Sequence, residues 1–230
     1  MSALSMGSEL AGTMEGTGPA KHGWRSPFGS LASHGRLSFI GAVFVVEIAI
    51  FFVAMVYPIS PSDQQNLLQQ ARDLISSTTS KGPLGLMLSI FANNVRVAFL
   101  EMIPVAGPLI FAYSIFVTGQ ILQAFAISSN VPAPLVGFFL FFLPFAVVEL
   151  SAYAIAVSSG IMLLVAWRRK RLGSELKVFA VEALVVALVL ITAAAMETVT
   201  IEDPLLGFSL WIPLLAAVVG LVLFVRGRGG

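Results

Sequence analysis

The chain repeats one device: an unbroken apolar run of about twenty residues, closed by a short polar or Pro/Gly-containing connection. The first run, residues 37–57, reads LSFIGAVFVVEIAIFFVAMVY and holds a single charge, Glu47. Crossing a hydrocarbon core of ~30 Å takes about 20 helical residues, so this run is long enough to span. Hydrocarbon offers the backbone no water, and among single segments only a helix satisfies its own N–H and C=O groups. A series of such runs therefore restricts the chain to an all-α, polytopic transmembrane bundle. Composition agrees: 11% of residues are charged and mean hydropathy is +0.94, against roughly 25% charged in a soluble domain. A soluble enzyme is excluded.

Six spans are expected. After the first come 83–103 and 107–127, separated by the tight Pro104-Val105-Ala106-Gly107 turn. The apolar stretch 135–167 is too long for one crossing, since 33 residues at 1.5 Å would make a rod of about 50 Å. Pro144 should break it into a half-helix, 135–143, and a main span, 144–167. Such breaks are tolerated at depth only where protein or water serves the freed backbone groups. The fifth span is 176–201, after a Gly173-Ser174 start signal, and the sixth is 204–225. Between spans one and two, Ser62 and Gln65 match a capping box, and Leu67, Leu68, Ala71, Leu74 and Ile75 recur at helical spacing. A short amphipathic helix on the outer surface follows.

Three regions result: a mobile polar tail, 1–36; the bundle, 37–225; and a basic tail, 226–230. With the N-terminus inside, the cytoplasmic side receives ten basic residues, among them Lys21, Arg25, Arg36, the Arg168-Arg169-Lys170-Arg171 run and Lys177. The outer side receives only Arg72 and Lys81. The positive-inside rule then places both termini in the cytoplasm and the protein in the cell membrane, with Trp167 in the inner aromatic belt.

Chemistry is narrowed by what is missing. The chain has no cysteine, and His22 and His34 both precede the first apolar run. Thiolate, imidazole and haem-ligand chemistry at membrane depth are excluded, and no metal, cofactor or catalytic residue is expected. A net charge of +1 gives no attraction to nucleic acid.

Six ionisable groups lie at membrane depth: Glu47, Arg96, Glu101, Glu149, Glu182 and Glu197. Each needs a partner or a function there. On a helix at 100° per residue, Asn93, Asn94, Arg96 and Glu101 fall within about 160°, so one face of span two should turn inward. The expected arrangement is a buried Arg96 paired with Glu149 or Glu101. Ala152, Ala156 and Gly160, at i, i+4 and i+8, form a small-residue ridge for close helix approach, and Gly119 reads as a packing notch.

The order Phe91-Ala-Asn93-Asn94-Val-Arg96-Val-Ala98, Thr118-Gly119-Gln120-Ile-Leu-Gln123, Leu143-Pro-Phe-Ala-Val-Val-Glu149-Leu-Ser-Ala152 and Ala193-Ala-Ala-Met-Glu197-Thr-Val-Thr200 resembles the stage II sporulation protein M family of integral membrane proteins, over roughly residues 90–200. The family pattern usually has Pro-His-Gly where this chain has Pro144-Phe145-Ala146, so any role of that histidine is missing here. The resemblance implies an envelope-associated protein that works in a complex, with Asn93, Asn94, Arg96, Gly119, Glu149 and Glu197 at motif positions. Two functions stay open. The leading one is a non-enzymatic scaffold or assembly subunit held by a buried Asn/Arg/Glu network. The other is a transporter or permease subunit for a small solute, proton or lipid, using the carboxylates. Expected partners are membrane lipids, other membrane or envelope proteins, or a second copy of the chain.

Overall fold

A computed structural model of the chain describes residues 33–79 and 81–227. Most of the tails expected at 1–36 and 226–230 lies outside the described residues. Residues 34–36 are the first of a helix, not tail.

The elements run α1 (His34–Val56), α2 (Pro61–Thr79), α3 (Gly82–Glu101), α4 (Ala106–Ser128), α5 (Ala133–Leu140), α6 (Pro144–Arg168), α7 (Leu172–Glu202), α8 (Pro204–Ser209) and α9 (Trp211–Gly227). Five of them, α1, α3, α4, α6 and α7, are long and apolar enough to cross a membrane. Outward faces stay apolar, as at Val45, Leu109 and Leu184, which suits lipid rather than water. Helices α6 and α7 pack against each other most extensively, α1 lies on α4 and α6, and α3 lies on α7. The core they enclose includes Phe51, Met55, Ala98, Ile115, Val157 and Leu190.

The Pro144 break falls where the sequence places it. Helix α5 ends at Leu140, three residues intervene, and Pro144 occupies the first turn of α6, where its missing N–H leaves nothing unsatisfied. The sixth segment is broken as well, a correction to the continuous span expected there. Pro213 has no N–H for the Ser209 carbonyl four residues back, and its ring crowds that carbonyl. Helix α8 therefore stops at Ser209 and α9 starts at Trp211. Asp203 caps α8 by accepting from the Leu205 and Leu206 amides at 3.0 Å. The two breaks meet, since Trp211 Nε1–H donates to the Phe142 carbonyl at 2.7 Å.

Helix α2 packs on α3 and α4, with Leu68 buried. Its cap is Ser60 rather than Ser62. Ser60 Oγ accepts from the Asp63 amide at 3.1 Å and its hydroxyl reaches Asp63 Oδ2 at 2.6 Å, which makes Pro61 the first helical residue. Ser60→Ala is expected to cost α2 about 1 kcal/mol. Faster amide exchange at Asp63 would report it, and Ser62→Ala should leave that amide's protection unchanged.

The expected ridge is a contact within the chain. Ala152, Ala156 and Gly160 are all buried, and a β-carbon on Gly160 would sit 2.6 Å from the Met102 carbonyl oxygen, at the α3–α4 turn. Gly119 is the notch expected of it: a β-carbon there would lie 2.7 Å from Ala54 Cβ and 2.8 Å from the Phe51 carbonyl oxygen of α1.

Candidate functional site

Two polar centres lie in the bundle, and the guanidinium belongs to the one the sequence did not single out. Arg36, in the first turn of α1, is buried. Its Nε donates to Glu182 Oε1 at 2.5 Å and its Nη2 to Glu182 Oε2 at 2.8 Å, a two-pronged pair of the strong kind. Nη2 also donates to Glu175 Oε1 at 2.7 Å, and Ser159 Oγ of α6 donates to Glu182 Oε2 at 2.7 Å. This knot ties α1, α6 and α7 together. The signal for it was legible: Glu175 and Glu182 are seven apart, hence on one face of a helix, and Arg36 stands at the mouth of the first span.

Arg96 is exposed and makes no ion pair among the described residues, which corrects the expected pairing with Glu149 or Glu101. The buried line of α3 is Asn94, Ala98 and Glu101, at i, i+4 and i+7. Arg96 is about 160° around the helix from both Asn94 and Ala98, so burying that line turns Arg96 outward. Asn93 is exposed beside it and donates through Nδ2 to Asn94 Oδ1 at 3.2 Å.

The second centre is a set of carboxyls. Glu47 of α1 and Glu101 at the end of α3 are fully buried. Glu101 Oε1 accepts from Ser114 Oγ of α4 at 2.8 Å, whereas its Oε2 and both oxygens of Glu47 have no hydrogen-bond partner. Glu149 of α6 accepts from Tyr153 O–H, one turn on, at 3.0 Å. Glu47 lies within electrostatic range of Glu101 and Glu149, and Glu197 of α7 within range of Glu149. Tyr153 is in range of Glu47, Glu101 and Glu149 together. Four helices thus bring four acids into one region with no basic side chain paired to any of them among the described residues. The sequence named all four acids. It did not single out Tyr153 or Ser114, although Tyr153 at i+4 from Glu149 is a readable helical pair.

Glu149 and Glu197 also line a cavity of about 570 Å³ between α3, α4, α6 and α7, with Ala71 of α2 and Leu140 of α5 also in its wall. Asn93, Asn94 and Thr118 add polar groups to the wall, and the remainder is mostly apolar, as at Phe51, Ile115 and Phe145. A site of this size and lining fits a small ligand, with apolar surface giving affinity and a few polar groups fixing its orientation. No group of three or more His, Cys, Asp or Glu among the described residues is arranged to hold a metal ion.

The family model described as stage II sporulation protein M matches residues 39–200. The match takes in α1 and Glu47, well before the start at residue 90 expected from the motifs, and stops before the broken sixth segment. No curated protein and no solved structure matches the chain.

Proposed function

The chain belongs to the stage II sporulation protein M family, a multi-pass membrane protein, and from that premise we propose that it is a non-enzymatic membrane subunit whose acid-lined cavity takes up a small amphipathic solute bearing a protonated amine. One observation carries this reading: Glu149 and Glu197 face the same cavity without a basic partner among the described residues. Polar groups that serve only to hold helices together are expected to satisfy one another, as Arg36, Glu175, Glu182 and Ser159 do. Carboxyls at membrane depth with no cation between them call for a proton or a positively charged guest. The apolar walls suit the guest's hydrocarbon part. With no cysteine and no histidine beyond residue 34, any chemistry at depth would fall to the carboxyls alone, and the proposal assigns these to binding. Ten inner bases against two outer ones orient the Arg168 end toward the cytoplasm.

Thermal melting of the purified full chain in detergent tests it, with octylamine, octanol and octanoate as probes of one length and three charges. Octylamine is expected to raise the melting temperature by several degrees, since a ligand at a hundredfold excess over its dissociation constant stabilises by ~2.7 kcal/mol. Octanol and octanoate are expected to give no such rise. The double substitution Glu149→Gln with Glu197→Gln should abolish the amine's effect. Equal shifts from all three probes would sink the reading.

The assembly reading keeps one specific support, the Arg36 knot, which fixes three helices without any contribution from the cavity. If that is the main role, the double substitution leaves amine binding irrelevant, and chains that co-purify from native membranes stay attached to it.

A further inference from the structure

The connection between α6, which ends at Arg168, and α7 is Arg169-Lys170-Arg171, turned so tightly that Lys170 takes a positive φ of 55°. Arg169 and Arg171 line a second cavity, of about 340 Å³, at the end of the bundle where the Arg36 knot lies. Its walls have two characters. Ser174 and Glu175 in the first turn of α7 are polar, the Glu175 carboxylate being held by Arg36 at 2.7 Å, and Phe39, Ile161 and Val165 are apolar. Arg36 also reaches this cavity, but both its carboxylate partners are already in place. Arg169 and Arg171 make no ion pair among the described residues. Trp167, 63% exposed, stands next to them, and an exposed indole at a helix end marks the headgroup level of a bilayer.

We propose that this cavity binds one anionic phospholipid. Its phosphate sits between the Arg169 and Arg171 guanidiniums, and its glycerol and first acyl carbons lie along Phe39, Ile161 and Val165. Guanidinium is the side chain best matched to phosphate oxygens, which it engages two at a time. Basic pockets between transmembrane helices are suited to anionic headgroups. The apolar wall selects a lipid over free phosphate, which would leave that wall wet. The two sites are separate: this one uses neither Glu149 nor Glu197.

Native mass spectrometry of the detergent-purified full chain, titrated with phosphatidylglycerol, phosphatidylcholine or inorganic phosphate, reads the outcome. One phosphatidylglycerol is expected to stay bound under conditions that strip phosphatidylcholine, and inorganic phosphate is expected neither to bind nor to compete at equal concentration. R169Q with R171Q should weaken retention at least tenfold. Both side chains are exposed, so the melting temperature in phosphatidylcholine micelles should hold. R168Q with K170Q removes the same charge from positions off the cavity wall and should leave retention within about twofold. Equal loss in the two double variants would reduce the effect to general surface charge and overturn the proposal. Equal retention of phosphatidylcholine would overturn it too, as would phosphate binding alone, which would make the site one for free phosphate.

Discussion

Arg36→Ala is expected to lower the melting temperature in detergent more than any other truncation of a charged side chain in the bundle. It leaves Glu182, 2% exposed, without its guanidinium and with the Ser159 hydroxyl still donating to Oε2. Removing one member of a buried ion pair costs about 3–5 kcal/mol, because the other charge stays desolvated and uncompensated. Adding Glu182→Gln to Arg36→Ala should recover part of the loss, since a neutral amide is cheaper to bury than a lone carboxylate. Arg96→Ala supplies the contrast. Its guanidinium is exposed and unpaired among the described residues, so its melting temperature should stay near that of the parent. Intrinsic tryptophan fluorescence of the three variants decides the matter, and equal losses for Arg36→Ala and Arg96→Ala would contradict the arrangement.

The other large effect is expected at the α3–α4 turn. Val105 there has φ 73°, a strained value for a β-branched residue, and the chain turns back so closely that a β-carbon on Gly107 would run into the Glu101 carbonyl. From the other side Gly160 admits the Met102 carbonyl oxygen, which would stand 2.6 Å from a β-carbon at that position. Neither obstacle is a flexible side-chain tip. Gly107→Ala and Gly160→Ala must therefore push backbone aside, and overpacking of that kind costs about 1–3 kcal/mol or more. Gly41 in α1 is the control, since a β-carbon there would meet nothing within 4 Å. Gly41→Ala should be neutral or stabilising by up to about 1 kcal/mol through helix propensity. A melting series ranking Gly41→Ala above the parent and the other two well below it is the expected result. Loss of equal size at Gly41 would show that helix-interior alanine is harmful here for another reason.

Much of the fold was legible because its causes are local. Length and apolarity mark the spans, Pro144 marks its break, and the spacing of Ala152, Ala156 and Gly160 marks a face that accepts a neighbour. Pro213 was equally readable as a breaker, ten residues into the 204–225 run, but that run has the length of a single crossing, so length gave no reason to divide it and the split between α8 and α9 went unforeseen. The polar centres depended on rotation about a helix axis, which local pattern constrains poorly. A polar arc of about 160° on α3 is wide enough to be half inside and half outside. Packing of Asn94, Ala98 and Glu101 settles which half, and Arg96 falls on the other. Arg36 was hidden for a different reason: a base just before a span reads as a flanking charge until Glu175 and Glu182 are seen to share one helix face.

The hydrogen bond from Trp211 to Phe142 makes a chain length matter as much as a side chain. In a continuous helix the Phe142 carbonyl would be served by the Ala146 amide, which here bonds to Leu143 instead. Adding or deleting one residue between Pro204 and Trp211 would swing the indole by about 100° and shift it by about 1.5 Å along the axis. The carbonyl would then be left bare in the break. The residue count of that short connector is thus as constrained as its one buried glycine, Gly207, where a β-carbon would lie 2.6 Å from Thr200 Cα.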